Sequence, residues 1–177
     1  MLSKLKLFRD DGKIRMDIRK IYEYALNREY EGKRFFEENA KRLSHAAAVN
    51  AFQQLAAEEQ KHIYFIQNQI SILNGHAGDV DYGLMLEQAG FFSQRAQSEF
   101  IDQSVAEAMV PDLPVLRMAY LIERDFAEFY ESTANQVEGD AKQVLSMLSQ
   151  WERGHERLFK NFYDKAFEEY SKMPWGG

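Results

Sequence analysis

Apolar residues recur along most of this chain at the three- and four-residue spacing of helices with one buried face. Ile18, Ile21, Tyr22, Ala25, Phe36 and Ala40 mark such a face, with the capping residue Asp17 before them, which predicts a first helix ending near Arg42. Ala47, Ala48, Phe52, Leu55, Ile63 and Ile66 mark a second, with Ser44 as its expected cap and Asn74-Gly75 as its stop after Leu73. From His76 to Pro114 the pattern is broken by Gly78, Gly83, Gly90, Pro111 and Pro114, around a moderate helix expected near Ser93–Ala108. A third long helix is predicted from about Leu116 to Val137, a turn at Gly139-Asp140, and a fourth helix from Ala141 to about Tyr170.

The ends of the chain read differently. Residues 1–16 alternate apolar and polar positions around Asp11-Gly12, the signature of a small hairpin or extended arm, with a partly ordered N-terminus as the plain alternative. Residues 171–177 are expected to form a C-terminal tail, in which Met173-Pro174-Trp175-Gly176-Gly177 cannot continue a helix. The expectation is one all-α domain over residues 17–170. It consists of two short-turned helix pairs, with a long crossover between the second and third helices because those two run parallel.

Repetition changes the picture from architecture to chemistry. Ala25, Glu29, Phe35 and Glu37 align with Ala119, Glu123, Phe129 and Glu131 at an offset of 94, and Phe36 falls on Tyr130. Leu55, Glu59 and His62 align with Leu148, Glu152 and His155 at an offset of 93. One helix pair is used twice, and what recurs is a Glu on its first helix and a Glu-x-x-His on its second. Three residues advance a helix by about 300°, so Glu59 and His62 converge on one point, as do Glu152 and His155. All six residues lie on apolar faces: Glu29 in line with Ala25, Gly32 and Phe36, Glu123 with Ala119, Phe126 and Tyr130.

Burying four carboxylates without a partner is prohibitive, because an unpaired charge in a core costs several kcal/mol or is neutralised. No Lys or Arg shares those faces. Two divalent cations balance four carboxylates, and mixed carboxylate and imidazole ligands suit iron, or manganese, with positions left open. Glu59 and Glu152 are the expected bridges; Glu29 with His62, and Glu123 with His155, complete the ends. A lone Glu-x-x-His arises by chance and an isolated core His is usually structural; the duplication is what lifts this set above both. His45, His76, Glu31, Glu37, Glu58 and Glu128 are assigned to the surface, Glu58 being the nearest to the site. Tyr22, Tyr30, Tyr120 and Tyr130 have a helical phase that could present a hydroxyl to the site; packing is the preferred role for each, with Tyr130 the best exception.

Composition then excludes rather than identifies. Cysteine is absent, which removes disulfides, thiolate nucleophiles and iron–sulfur or four-cysteine sites. The net charge of −6 argues against nucleic acid. No apolar run approaches a membrane span, and Met1-Leu2-Ser3-Lys4-Leu5-Lys6 is charged with no apolar stretch after it, so no leader is expected and the chain is read as cytoplasmic.

The series Glu29…Glu59-x-x-His62…Glu123…Glu152-x-x-His155 resembles the ferritin-like di-iron carboxylate superfamily over about residues 17–165. Within it, Ala25-x3-Glu29-x6-Phe36-Glu37 and Phe52-x2-Leu55-Ala56-x-Glu58-Glu59-x2-His62 look like the rubrerythrin branch. The resemblance implies a ferritin-like four-helix bundle with a long crossover, a bridged pair of iron ions, a homodimer, and reduction of hydrogen peroxide with electrons from a rubredoxin-like donor. Two departures stand out. The family's C-terminal rubredoxin domain is missing, so the donor would be a separate protein. Its additional carboxylate three residues after the third-helix Glu is Phe126 here, with Gly32 as the first-helix counterpart. That leaves six ligands, as in bacterioferritin-type centres, and no iron shift between a His and a seventh carboxylate. The expected function is a di-iron oxidoreductase acting on peroxide or dioxygen. A ferroxidase or iron-storage protein is the alternative, and a bundle holding zinc or manganese without turnover is a third.

Overall fold

The computed structural model describes residues 8–10, 13–15, 17–76 and 103–174. Two short strands, β1 (Phe8–Asp10) and β2 (Lys13–Arg15), pair antiparallel with Asp10 opposite Lys13 and Phe8 opposite Arg15. The hairpin expected near the N-terminus is met over these two strands. The other described elements are helices: α1 (Ile18–Ala40), α2 (Ala46–Leu73), the short α3 (Gln103–Ala108), a 3₁₀ turn (Val110–Asp112), α4 (Leu113–Ala134) and α5 (Gly139–Lys172). The glycine-rich stretch expected between the helix pairs, and the start of the helix expected at Ser93, lie outside the described residues.

Capping chemistry sets the boundaries, with one correction. Asp17 caps α1 as expected, its side chain accepting from the Lys20 backbone N–H at 3.4 Å. Ser44 does not cap α2; His45 does, its Nδ1 accepting from the Ala47 N–H at 3.2 Å. The Ser44 N–H instead donates to buried Asp112, at 2.9 Å to Oδ1. That carboxylate reaches across from the 3₁₀ turn and also accepts from His45 N–H at 3.4 Å. α4 begins three residues before its expected start, because Pro114 fits the first turn of a helix, where its missing N–H is no loss. α2 ends at Leu73 as expected, and Gly75 takes a positive φ of 83° just after it.

Two apolar clusters fill the bundle. One joins the end of α1 (Phe36, Ala40) to the start of α2 (Phe52, Leu55), the start of α4 (Leu116, Ala119) and the latter half of α5 (Leu158, Phe159, Phe162). The other joins the start of α1 (Ile21, Ala25) to the end of α2 (Phe65, Ile66), the end of α4 (Tyr130, Ala134) and the start of α5 (Val144, Leu148). Helices within each pair are thus antiparallel, and α2 and α4 run in the same sense. Phe159 anchors the first cluster, stacked on Phe36 at 5.5 Å between ring centroids and edge-on to Phe52 at 5.0 Å. Each such contact is worth about 0.5–1.5 kcal/mol beyond its buried area.

Asp112 ties the α1–α2 turn to the second pair. Replacing it with Ala leaves two backbone donors without that acceptor and should lower stability by about 1–3 kcal/mol, read as a shift in the urea midpoint at unchanged slope.

Candidate metal centre

Between the two apolar clusters, every long helix turns an acidic residue inward. Glu29 comes from α1, Glu59 and His62 from α2, Glu123 from α4, and Glu152 and His155 from α5. All four carboxylates are fully buried and both imidazoles nearly so. The helix that places each one is held by ordinary apolar packing a turn away on either side, so the site is positioned by the core rather than by loops.

The distances divide the six residues into two overlapping sets. His62 Nδ1 lies 3.2 Å from Glu29 Oε2, 3.7 Å from Glu59 Oε2 and 3.0 Å from Glu152 Oε1. His155 Nδ1 lies 3.3 Å from Glu123 Oε2, 3.8 Å from Glu59 Oε1 and 3.2 Å from Glu152 Oε2. Glu59 and Glu152 each turn one oxygen toward each imidazole, whereas Glu29 approaches only His62 and Glu123 only His155 among the imidazoles. Candidate ligand atoms of Glu29, Glu59, His62 and Glu152 lie within 4.8 Å of one another, and so do those of Glu59, Glu123, Glu152 and His155. The two groups share Glu59 and Glu152.

Electrostatics within the cluster are unbalanced. Among the described residues, no Lys or Arg pairs with any of the four carboxylates. Both oxygens of Glu59 and of Glu123, and Oε1 of Glu152, are buried without a hydrogen bond, although the imidazoles are in ion-pair range. Burial, and then the charge of Glu152, holds the Glu59 and Glu123 carboxyls well above their ordinary 4.5. Burial pushes Glu152 the same way but is outweighed by His62 and His155, which bring it below the usual carboxylate range. Burial disfavours a charged His62, yet Glu152 and Glu29 outweigh it and raise that imidazole. Without a cation, then, burial and mutual repulsion oppose ionisation of Glu59 and Glu123 while the imidazoles favour it at Glu152. These residues could hold a metal: oxygen and imidazole donors converge, their orphaned lone pairs need a partner, and metal and protons compete for the same atoms.

The remaining sequence assignments separate cleanly. Tyr130 donates its hydroxyl to Glu29 Oε1 and is wholly buried. Burial, and then Glu29, pushes that phenol up, so it stays a donor. Tyr30 is exposed and accepts from Gln67 Nε2, Tyr120 packs on Tyr163, and Tyr22 is buried in the second apolar cluster. Glu58 pairs with Lys61 at 2.7 Å and takes no part in the cluster; Glu31, Glu37 and Glu128 make surface pairs with Arg28, Lys33 and Arg124. His45 is the α2 cap and His76 is exposed. Two neighbours of the site were not singled out from sequence as functional. Trp151 lies parallel to the His62 ring at 5.0 Å, and His62 in turn stacks on His155 at 5.4 Å. Phe126 packs over Gly32 beside Glu59. Trp151 adjoins Glu152 in sequence, but nothing in its own spacing points across to α2.

No family model matches this chain, and neither do any curated proteins or solved structures. The reading of the site rests on its geometry.

A raised carboxyl pKa in the folded state contributes stability that is present below the unfolded value and lost as pH rises through the folded one. The metal-free protein should therefore carry a penalty at Glu59 at pH 8. Replacing Glu59 with Gln is expected to raise the metal-free melting temperature at pH 8, by an amount that shrinks toward pH 4.5. Calorimetry of both proteins in chelator checks this; an unchanged or lower melting temperature at pH 8 would contradict the electrostatic picture.

Proposed function

We propose that this chain is a di-iron carboxylate oxidoreductase of ferritin-like fold, reducing hydrogen peroxide or dioxygen with electrons from a separate donor protein. The observation that carries the reading is the sharing of Glu59 and Glu152 between two ligand groups, each completed by its own Glu and His. A single-ion site has no use for two bridging carboxylates. Two ions account for the duplication and offset the charge of four carboxylates. The common sense of α2 and α4 supports a long crossover between the pairs, as in the ferritin-like bundles.

In this reading Glu29 and His62 would hold one ion, Glu123 and His155 the other, and Glu59 and Glu152 would serve both. Two ferrous ions, when bound there, supply one electron each together with Lewis acidity. The protein's part is positioning and exclusion. Tyr130 engages Glu29 Oε1 and leaves Oε2 directed at the centre. Phe126 and Trp151 close the site against water, and apolar clusters above and below keep it dry. The electrons would come from the proposed donor protein.

One observation favours a second reading, a ferroxidase that passes oxidised iron on for storage. Phe126, not a carboxylate, stands on the helix turn after Glu123, which leaves the centre with six ligands. Storage requires a large closed shell, so native mass separates the readings: a dimer opposes storage and a shell opposes the peroxidase.

Anaerobically loaded protein is expected to hold two iron ions per chain, and Glu59→Ala with Glu152→Ala to hold almost none by elemental analysis. Retention of two ions by that double variant would sink the assignment. Stopped-flow mixing of the ferrous protein should show faster oxidation by peroxide than by dioxygen; the reverse order would favour the ferroxidase.

A further inference from the structure

Gly32 and Phe126 occupy equivalent positions of the repeat, each three residues after a terminal carboxylate, and they meet face to face across the α1–α4 seam. A Cβ placed on Gly32 would lie 3.1 Å from Phe126 Cε2, 3.6 Å from Phe126 Cζ and 3.6 Å from Glu59 Oε2. The phenyl ring thus fills the space left by the missing side chain, directly beside an oxygen that has no hydrogen bond. The Arg28 guanidinium, one turn before Gly32 on α1, lies 4.9 Å from the ring centroid. Arg28 is half-exposed and paired with Glu31 at the surface. Glu59 Oε2, the Gly32 slot, the Phe126 ring and Arg28 are thus successive neighbours. The ring touches the glycine beside an orphaned carboxylate oxygen and also a partly exposed cation.

We propose that Phe126, seated on Gly32, is the gate through which small exogenous ligands reach the metal centre. This rests on the di-metal reading of the site. A reactant must cross a wall to reach carboxylates with no solvent exposure, and at this point of the wall the Phe126 side chain packs against a glycine rather than against another side chain. A phenyl ring turning about its χ angles opens this path without moving a helix, since rotamer changes are faster and less costly than helix shifts. The opening admits molecules of a few atoms, such as peroxide, dioxygen or azide, and rejects organic substrates. Arg28 leaves the ring only by giving up a cation–π contact, which keeps the gate closed at rest.

The test uses the protein loaded with Co(II), which does not turn over, and azide as the probe, followed by the cobalt absorption bands in stopped flow. A gate changes association and dissociation by the same factor and leaves Kd unchanged. Phe126→Ala should speed both by about tenfold or more, as removal of a lid does. Gly32→Ala should slow both several-fold, because the added methyl stays over Glu59 even when the ring swings away. Phe126→Leu, which retains an apolar filler, should give an intermediate acceleration and serves if the Ala variant does not fold. Unchanged rates in the Phe126 and Gly32 variants would overturn the gate while leaving the metal reading intact. So would a change confined to Kd with altered azide-free cobalt bands, since that marks distortion of the centre. Failure of the parent protein to take up two Co(II) would overturn the metal reading itself, and the gate with it.

Discussion

Four fully buried carboxylates at one level of a helical core, with no Lys or Arg pairing with them among the described residues, form the constraint around which the rest of this bundle is arranged. Charge of that density is tolerable in a low-dielectric interior only if protons or cations neutralise it. Each of the four long helices contributes to the cluster, so a shift of any one along its axis would carry a carboxylate into the aromatic layers above or below. Phe36, Phe52 and Phe159 on one side, and Phe65, Tyr130 and Trp151 on the other, act as floors and ceilings that prevent such a shift. The apolar core is thus split in two by a polar layer, and each half must be packed well enough to support the layer between.

The helices were legible because their periodicity is long and clean, and the site because its residues obey the same periodicity while violating its chemistry. Glu59 is written where Leu55 and Ile66 say an apolar residue belongs, and the same contradiction recurs in the second half. What could not be read were contacts between segments distant in the chain. Ser44 has the composition of a helix cap, yet its N–H is taken by Asp112, sixty-eight residues away, and His45 caps instead. Trp151 has the spacing of any core aromatic, and only the packing of α5 on α2 sets it against His62. Spacing reports which residues share a face; it is silent on which faces meet.

The two halves of the cluster are related but not equal. Tyr130 gives Glu29 a hydrogen-bond donor, whereas the equivalent position in the other half is Phe36, which has no hydroxyl, and both Glu123 oxygens are without a hydrogen bond. The repeat therefore builds a near-symmetric ligand set inside an asymmetric field. One end has its carboxylate held by a phenol as well as an imidazole; at the other, the nearest imidazole makes no hydrogen bond to it.

The meeting of Gly32 with Phe126 has a further consequence, for how such a chain can be assembled at all. Residues on the axis relating two copies of a unit face their own equivalents. Two copies of the first helix pair would set glycine against glycine and leave a hole beside the carboxylates, while two copies of the second would drive one phenyl ring into another. Only unlike halves fit. A space on one half and its filler on the other make the two halves complementary to each other rather than to themselves.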